Sequence, residues 1–134
     1  MKERIKNLWL TALRSGKYKQ GKDSLHAIDK NGEHHFCCLG VLTDLYLQEH
    51  PNKVGGWVEY EKNKQTRKLT LAFDGSEDLL TQRVKAWAGL SSTCPDIING
   101  YDVICQCDIK TDVASLNDSG KRFKTIAKLI EEQL

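Results

Sequence analysis

FCCLGVLTDLY, residues 36–46, is the stretch around which the rest of the chain has to be arranged. Seven of its eleven residues, Phe36, Cys37, Cys38, Leu39, Val41, Leu42 and Leu45, are strongly apolar. From Leu39 on, the apolar positions recur as Leu39, Leu42, Tyr46 and as Val41, Leu45, the spacing of a helix covered on most sides. Pro51, after Glu49-His50, requires that helix to stop by about residue 50. So apolar a helix needs other elements to cover it, and three amphipathic segments are available. Residues 2–15 place Ile5, Leu8, Trp9, Ala12 and Leu13 on one face; 77–89 do the same with Leu80, Val84, Trp87 and Ala88, and 121–133 with Phe123, Ile126, Ala127 and Ile130. Gly16 and Gly89 suit the C-terminal caps of the first two. Ser76 reads as the N-cap of the second, with Glu77 and Asp78 in its first turn at the positive end of the helix dipole.

Between the helices the pattern changes to short extended runs. Asp29-Lys30-Asn31-Gly32 separates Leu25–Ala27 from His34–Cys38, and an Asn-Gly step between such runs predicts a hairpin. Trp57–Tyr60, the polar tip KNKQ and the alternating Leu69, Leu71 and Phe73 predict a second. Residues 90–100, rich in Ser, Thr, Cys94-Pro95 and Asn99-Gly100, read as a loop, and Tyr101–Gln106 as a third strand region. Asp112 caps a short helical turn over Val113–Leu116, and Asn117-Asp118-Ser119-Gly120 breaks the chain. The expected fold is α+β over residues 1–134 as a single domain, with about four helices packed around the central apolar helix and short antiparallel β-hairpins.

Twenty Lys and Arg against eighteen Asp and Glu leave a net charge of +2, too little for the whole-chain balance to indicate nucleic-acid binding. Any basic site must be local. The opening MKERIKNLWL interrupts its apolar residues with charges, so it reads neither as a secretory core nor as a membrane span, and a cytosolic setting is expected. In that setting the five cysteines are expected as reduced thiols, with Cys105 and Cys107 on one face of a strand. His34, His35, Cys37 and Cys38 crowd together but lack the two-residue spacing that wraps a tetrahedral zinc, so no metal and no cofactor is expected. Cys37 and Cys38 read instead as small core residues, and no glycine-rich elbow surrounds a Ser or Cys nucleophile. Asp44, inside the apolar helix, needs a partner if buried; it reads as an acceptor for a backbone amide or an arginine ahead of a general base.

Chemistry concentrates in Arg14–Lys22. Arg14, Lys17, Lys19 and Lys22 are four cations within nine residues, with Tyr18 among them and Gly16 and Gly21 permitting close backbone approach. Arginine and lysine suit phosphate, and a tyrosine ring can stack on a base. A solvated basic loop after a helix explains the same residues, and the spacing is not that of a Walker loop. Trp9 and Trp87 read as core; Trp57, after Gly55-Gly56, fits either a stacking surface or a hairpin residue capping the core. Asn117 fits either a ligand contact or turn chemistry.

Four blocks, LWLTALRSGKYKQGK (8–22), FCCLGVLTDLY (36–46), VKAWAGL (84–90) and ASLNDSGKRFKTIAKLIEEQL (114–134), together resemble a small protein family carried by tailed phages and prophages. The family's LRSGKYxQGxGxL has Asp23 here in place of its third glycine, while 52–75 and 91–110 are particular to this chain. The resemblance implies a phage accessory protein in the host cytoplasm. By analogy with small anti-defence proteins, it implies a sponge that holds a phosphorylated nucleotide immune signal without cleaving it and works as a homo-oligomer. Arg14, Lys17, Tyr18, Lys19 and Lys22 would hold phosphate and base, with Trp57 and Asn117 as further contacts. The alternatives are a protein-binding inhibitor of a host defence enzyme, a nucleic-acid-binding phage regulator and, last, a hydrolase of the same signals. None of these partners is a membrane.

Overall fold

The computed structural model describes residues 1–51 and 55–134. Among the described residues, five helices and two antiparallel sheets follow one another as α1 (Glu3–Arg14), β1 (His26–Ile28), β2 (His34–Phe36), α2 (Cys38–Glu49), β3 (Val58–Lys62), β4 (Leu69–Ala72), α3 (Gln82–Ala88), β5 (Asp96–Asp102), β6 (Cys107–Asp112), α4 (Val113–Asp118) and α5 (Phe123–Gln133). The chain is α+β.

The apolar stretch forms α2, whose Cys38, Leu39, Val41, Leu42 and Thr43 have no exposed surface. Its first turn is capped by the Cys37 sulfur, which accepts the Gly40 N–H at 3.4 Å. Gly40 is there for closeness: a Cβ at this position would lie 1.7 Å from the carbonyl oxygen of Leu25. α1 meets α2 through Trp9, fully buried, whose indole N–H donates to the Cys38 carbonyl at 2.9 Å. Both hairpins expected from the sequence form. In the first, Gly32 takes φ +80° and the Asp29 carboxylate accepts the N–H groups of Asn31 and Glu33 at 2.8 and 3.0 Å. The two hairpins then fuse, because β1 pairs with β4 (His26 opposite Leu71), giving the strand order β2-β1-β4-β3.

Three local expectations are corrected. The helix expected over 77–89 starts only at Gln82, with Thr81 as its N-cap, while Ser76 closes a separate turn through both the N–H and the carbonyl of Leu79. The Glu77 carbonyl accepts the Leu25 N–H and the Leu80 N–H goes to the Thr93 carbonyl, so groups that a helix would pair internally are committed elsewhere. The loop expected over 90–100 and the strand expected over 101–106 are displaced: β5 already begins at Asp96, and residues 103–106 are the turn between β5 and β6. Asn99-Gly100 sits at a register shift inside β5, a bulge rather than a connection. Cys105 and Cys107 are joined in a disulfide instead of being free thiols; they meet across the turn, where Gln106 takes φ +54°, and not on a strand face.

The short helix after Asp112 stands, its first turn held by the Asp112 carboxylate accepting the Ser115 N–H at 2.7 Å. Among the described residues no helix is long and apolar enough to cross a membrane.

Candidate functional site

The segment after α1 does not hang in solvent. The Lys19 carbonyl accepts the Phe36 N–H, and the Gly21 N–H donates to the Phe36 carbonyl, both at 2.8 Å, so the basic segment runs along the free edge of β2. Asp23, where the resembled pattern has glycine, takes φ +66° and donates its N–H to Asp118 Oδ1 at 2.9 Å. That is a conformation glycine adopts freely and aspartate tolerates.

This path carries Tyr18 inward, edge-on to Phe36 with ring centroids 5.0 Å apart. Its hydroxyl donates to Asp44 Oδ2 at 2.7 Å; Gln48 Nε2 donates to the same oxygen at 2.9 Å, and the Trp57 indole N–H donates to Asp44 Oδ1 at 3.1 Å. Three donors from three parts of the chain thus converge on one partly buried carboxylate. Burial, followed by the hydrogen bond to Asp44, raises the Tyr18 pKa well above the ordinary phenol value, so it stays a donor. Asp44 is the acceptor the sequence suggested, though its partners are a phenol, an amide and an indole instead of a backbone amide or arginine.

Above this network lies an open cavity of about 750 Å³ between α1, β2 and α2. Its α1 wall is a polar stripe, Arg4, Asn7, Thr11 and Ser15, interleaved with Leu8 and Ala12. Opposite stand Tyr18, Phe36, Asp44, Leu45 and Gln48, with Lys17 and His34 at the margin. Arg4 is ion-paired to Glu49 at 2.6 Å, whereas Lys17 forms no ion pair among the described residues.

The other sequence candidates are placed elsewhere. Arg14 pairs with Glu131 and Lys19 with Glu33, both at the exposed surface. Lys22 lines a smaller recess of about 210 Å³ with Gly21, Asp29 and His35. Asn117 has no exposed surface: Oδ1 accepts the Cys38 N–H and Gln20 Nε2 at 3.2 and 3.0 Å, and Nδ2 donates to the Gly21 carbonyl at 2.7 Å and Asp118 Oδ1 at 3.3 Å. All four hydrogen-bonding positions of its amide are filled, which makes it a clamp between α4, the basic segment and the start of α2. Trp57 is partly buried and meets the cavity through its bond to Asp44 and its edge-on contact with Phe36, ring centroids 6.4 Å apart.

The residues missed in the sequence had usable signals. Arg4, Asn7, Thr11 and Ser15 recur every three or four positions on the polar side of α1, and Gln48 follows Asp44 by one helical turn. The thiols are poor nucleophiles: burial pushes Cys37 up to about 12 and Cys94 up to about 11. Asp29, Glu33 and His35 cluster on the β1–β2 turn, but Asp29 and His35 are already bonded to each other at 2.9 Å, which holds Asp29 down at about 2.

Fold and site together define a small α+β protein with a ligand-sized cavity floored by a hydrogen-bonded carboxylate. The chain belongs to the family described as Domain of unknown function (DUF8296), which matches residues 1–134. No curated protein and no solved structure matches it.

Proposed function

We propose that the protein binds a phosphorylated nucleotide-class ligand in the cavity between α1, β2 and α2 and holds it without cleaving it. In the phage setting that the sequence resemblance implies, this is the action of an anti-defence sponge. The observation that carries the reading is the Asp44 network beside Tyr18, Phe36 and Lys17: an acceptor for a base's amino or imino groups, aromatic faces or edges for its ring, and an unpaired ammonium for its phosphate. A volume of about 750 Å³ lies within the range of small-molecule sites, roughly 300–1,000 Å³. Tyr18 and Asp44 are bonded to each other, and the buried thiols are held protonated, which favours holding over turnover. Assembly as a homo-oligomer whose protomers close each other's cavities belongs to the same proposal.

A thermal-shift screen against cyclic dinucleotides, cyclic trinucleotides and ADP-ribose derivatives tests it, followed by recovery of the ligand after denaturation. A ligand at about 100 times its dissociation constant adds about 2.7 kcal/mol and should be returned intact. Lys17→Ala, at an exposed position, should weaken binding without altering the unliganded melting temperature. No shift with any compound sinks the reading. It would favour a protein-binding inhibitor, for which the specific observation is the β5–β6 tip, where Val103 and Ile104 are 77% and 92% exposed.

A further inference from the structure

We propose that His34 is the cavity's donor to a phosphate-type oxyanion, and that His26 is the residue that holds it in the donating tautomer. The proposal rests on the binding reading above and names a residue that grips the ligand's anionic part.

His26 lies opposite Phe36 in the β1–β2 ladder, so His34, two residues before Phe36, is its diagonal neighbour on the same face. The two imidazoles meet with His26 Nε2 and His34 Nδ1 2.7 Å apart, a hydrogen bond that needs one proton between them. His26 is only 4% exposed, stacked on Phe36 at 4.1 Å and met edge-on by Trp57 at 4.8 Å. Its other nitrogen, Nδ1, is buried and has no partner among the described residues. A buried, orphaned N–H is costlier than a buried, orphaned lone pair, so the His26 proton belongs on Nε2 and is donated to His34 Nδ1. Neutral His34 then carries its own proton on Nε2, the nitrogen His26 does not occupy. His34 is exposed and lines the same cavity as Lys17.

The arrangement is asymmetric by construction. A proton on His34 Nδ1 would face the His26 Nε2–H across 2.7 Å, so the tautomer of His26 fixes that of His34. Burial first and the neighbouring His34 second push His26 down to about 4, consistent with a neutral His26 at physiological pH. The other ionisable groups lining the cavity are Arg4 on α1, Lys17 and Tyr18 on the segment after it, and Asp44 on α2. Of these, Lys17 supplies charge to an oxyanion while His34 supplies a directed N–H, a division of labour that a phosphate with several oxygens can use.

Nitrogen-15 NMR of the histidine rings in the full chain, at pH 7.5 and with inorganic pyrophosphate as probe, tests this. Both rings are expected as Nε2–H tautomers, with the His34 Nε2 resonance moving on addition of pyrophosphate. His34→Leu should weaken pyrophosphate binding roughly tenfold or more, and His34→Gln, which keeps a donor, should retain most of it. His26→Gln places an amide N–H where imidazole Nε2 stood and should rescue what His26→Leu loses. An Nδ1–H tautomer at His26, or undiminished pyrophosphate or nucleotide binding by His34→Leu, overturns the role of His34 while leaving the cavity reading intact. Pyrophosphate held at His34 with no nucleotide bound does the reverse, and no pyrophosphate binding at all overturns the proposal. If His26→Leu does not fold, the wild-type tautomers and His34→Leu decide.

Discussion

In the four-stranded sheet, His26 and Ala27 of β1 and Leu71 and Ala72 of β4 are buried, whereas of the thirteen strand residues of β5 and β6 only Ile97 is. The first sheet shares one core with α2 and the other helices through Leu25, Phe36, Leu42 and Phe73. The ribbon joins that core only at its base, through Ile97 and Val113, and is otherwise held by its own ladder and by Gln133 of α5, whose amide pairs both backbone groups of Ile98 at 2.7 Å. A close-packed body transmits any change of shape, because its atoms have no free volume to move into. A ribbon tied at its ends absorbs change and keeps its side chains free for whatever approaches.

Gly40→Ala should break the packed half most severely. The added methyl meets backbone, which cannot rotate away, so a loss of about 3 kcal/mol or more is expected in urea unfolding, or no folded protein at all. Asn117→Ala comes next. It leaves the Cys38 N–H and the Gly21 carbonyl without the partners shown here, and about 2–4 kcal/mol should be lost in the same assay.

Acid should act on the packed half as well, through His26. The unfolded chain takes up this proton near pH 6.5 and the folded chain only near 4. Stability is therefore fully present above about 6.5 and falls as pH drops towards 4, by on the order of 2 kcal/mol. Urea midpoints measured against pH should show the fall, and His26→Gln should flatten it. The smallest effect is expected in the ribbon. The Cys105–Cys107 bridge spans a single residue, so it removes little chain entropy, and the double substitution to serine should change the unfolding free energy by less than about 2 kcal/mol. A large loss there would show that the ribbon belongs to the packed body after all.

The contrast also sets what could be read from the chain. α1, α2 and α5 carry periodic apolar residues because each has a face to bury, and their bounds were legible within a residue or two. β5 has no such alternation, since almost nothing on it is buried, and its Asn99-Gly100 bulge looked like a turn. α3 lost its first turn to tertiary hydrogen bonds from Leu25 and Thr93, residues far away in sequence. Of the candidate site, Lys17 and Tyr18 were legible from their company of glycines and cations. Arg14 and Lys19 carry the same local signal, yet the fold sets them against Glu131 and Glu33.

By itself, then, the sequence determined the class of the chain, its main helices, both core hairpins and the acceptor role of Asp44, because apolar period and turn chemistry are local. Only the tertiary structure decided that the two hairpins merge through β1 and β4, that Asn117 is a buried clamp, and that Tyr18, Gln48 and Trp57 converge on one carboxylate. Pairings between distant residues depend on how the elements dock, and the local pattern of a segment carries no record of its partner.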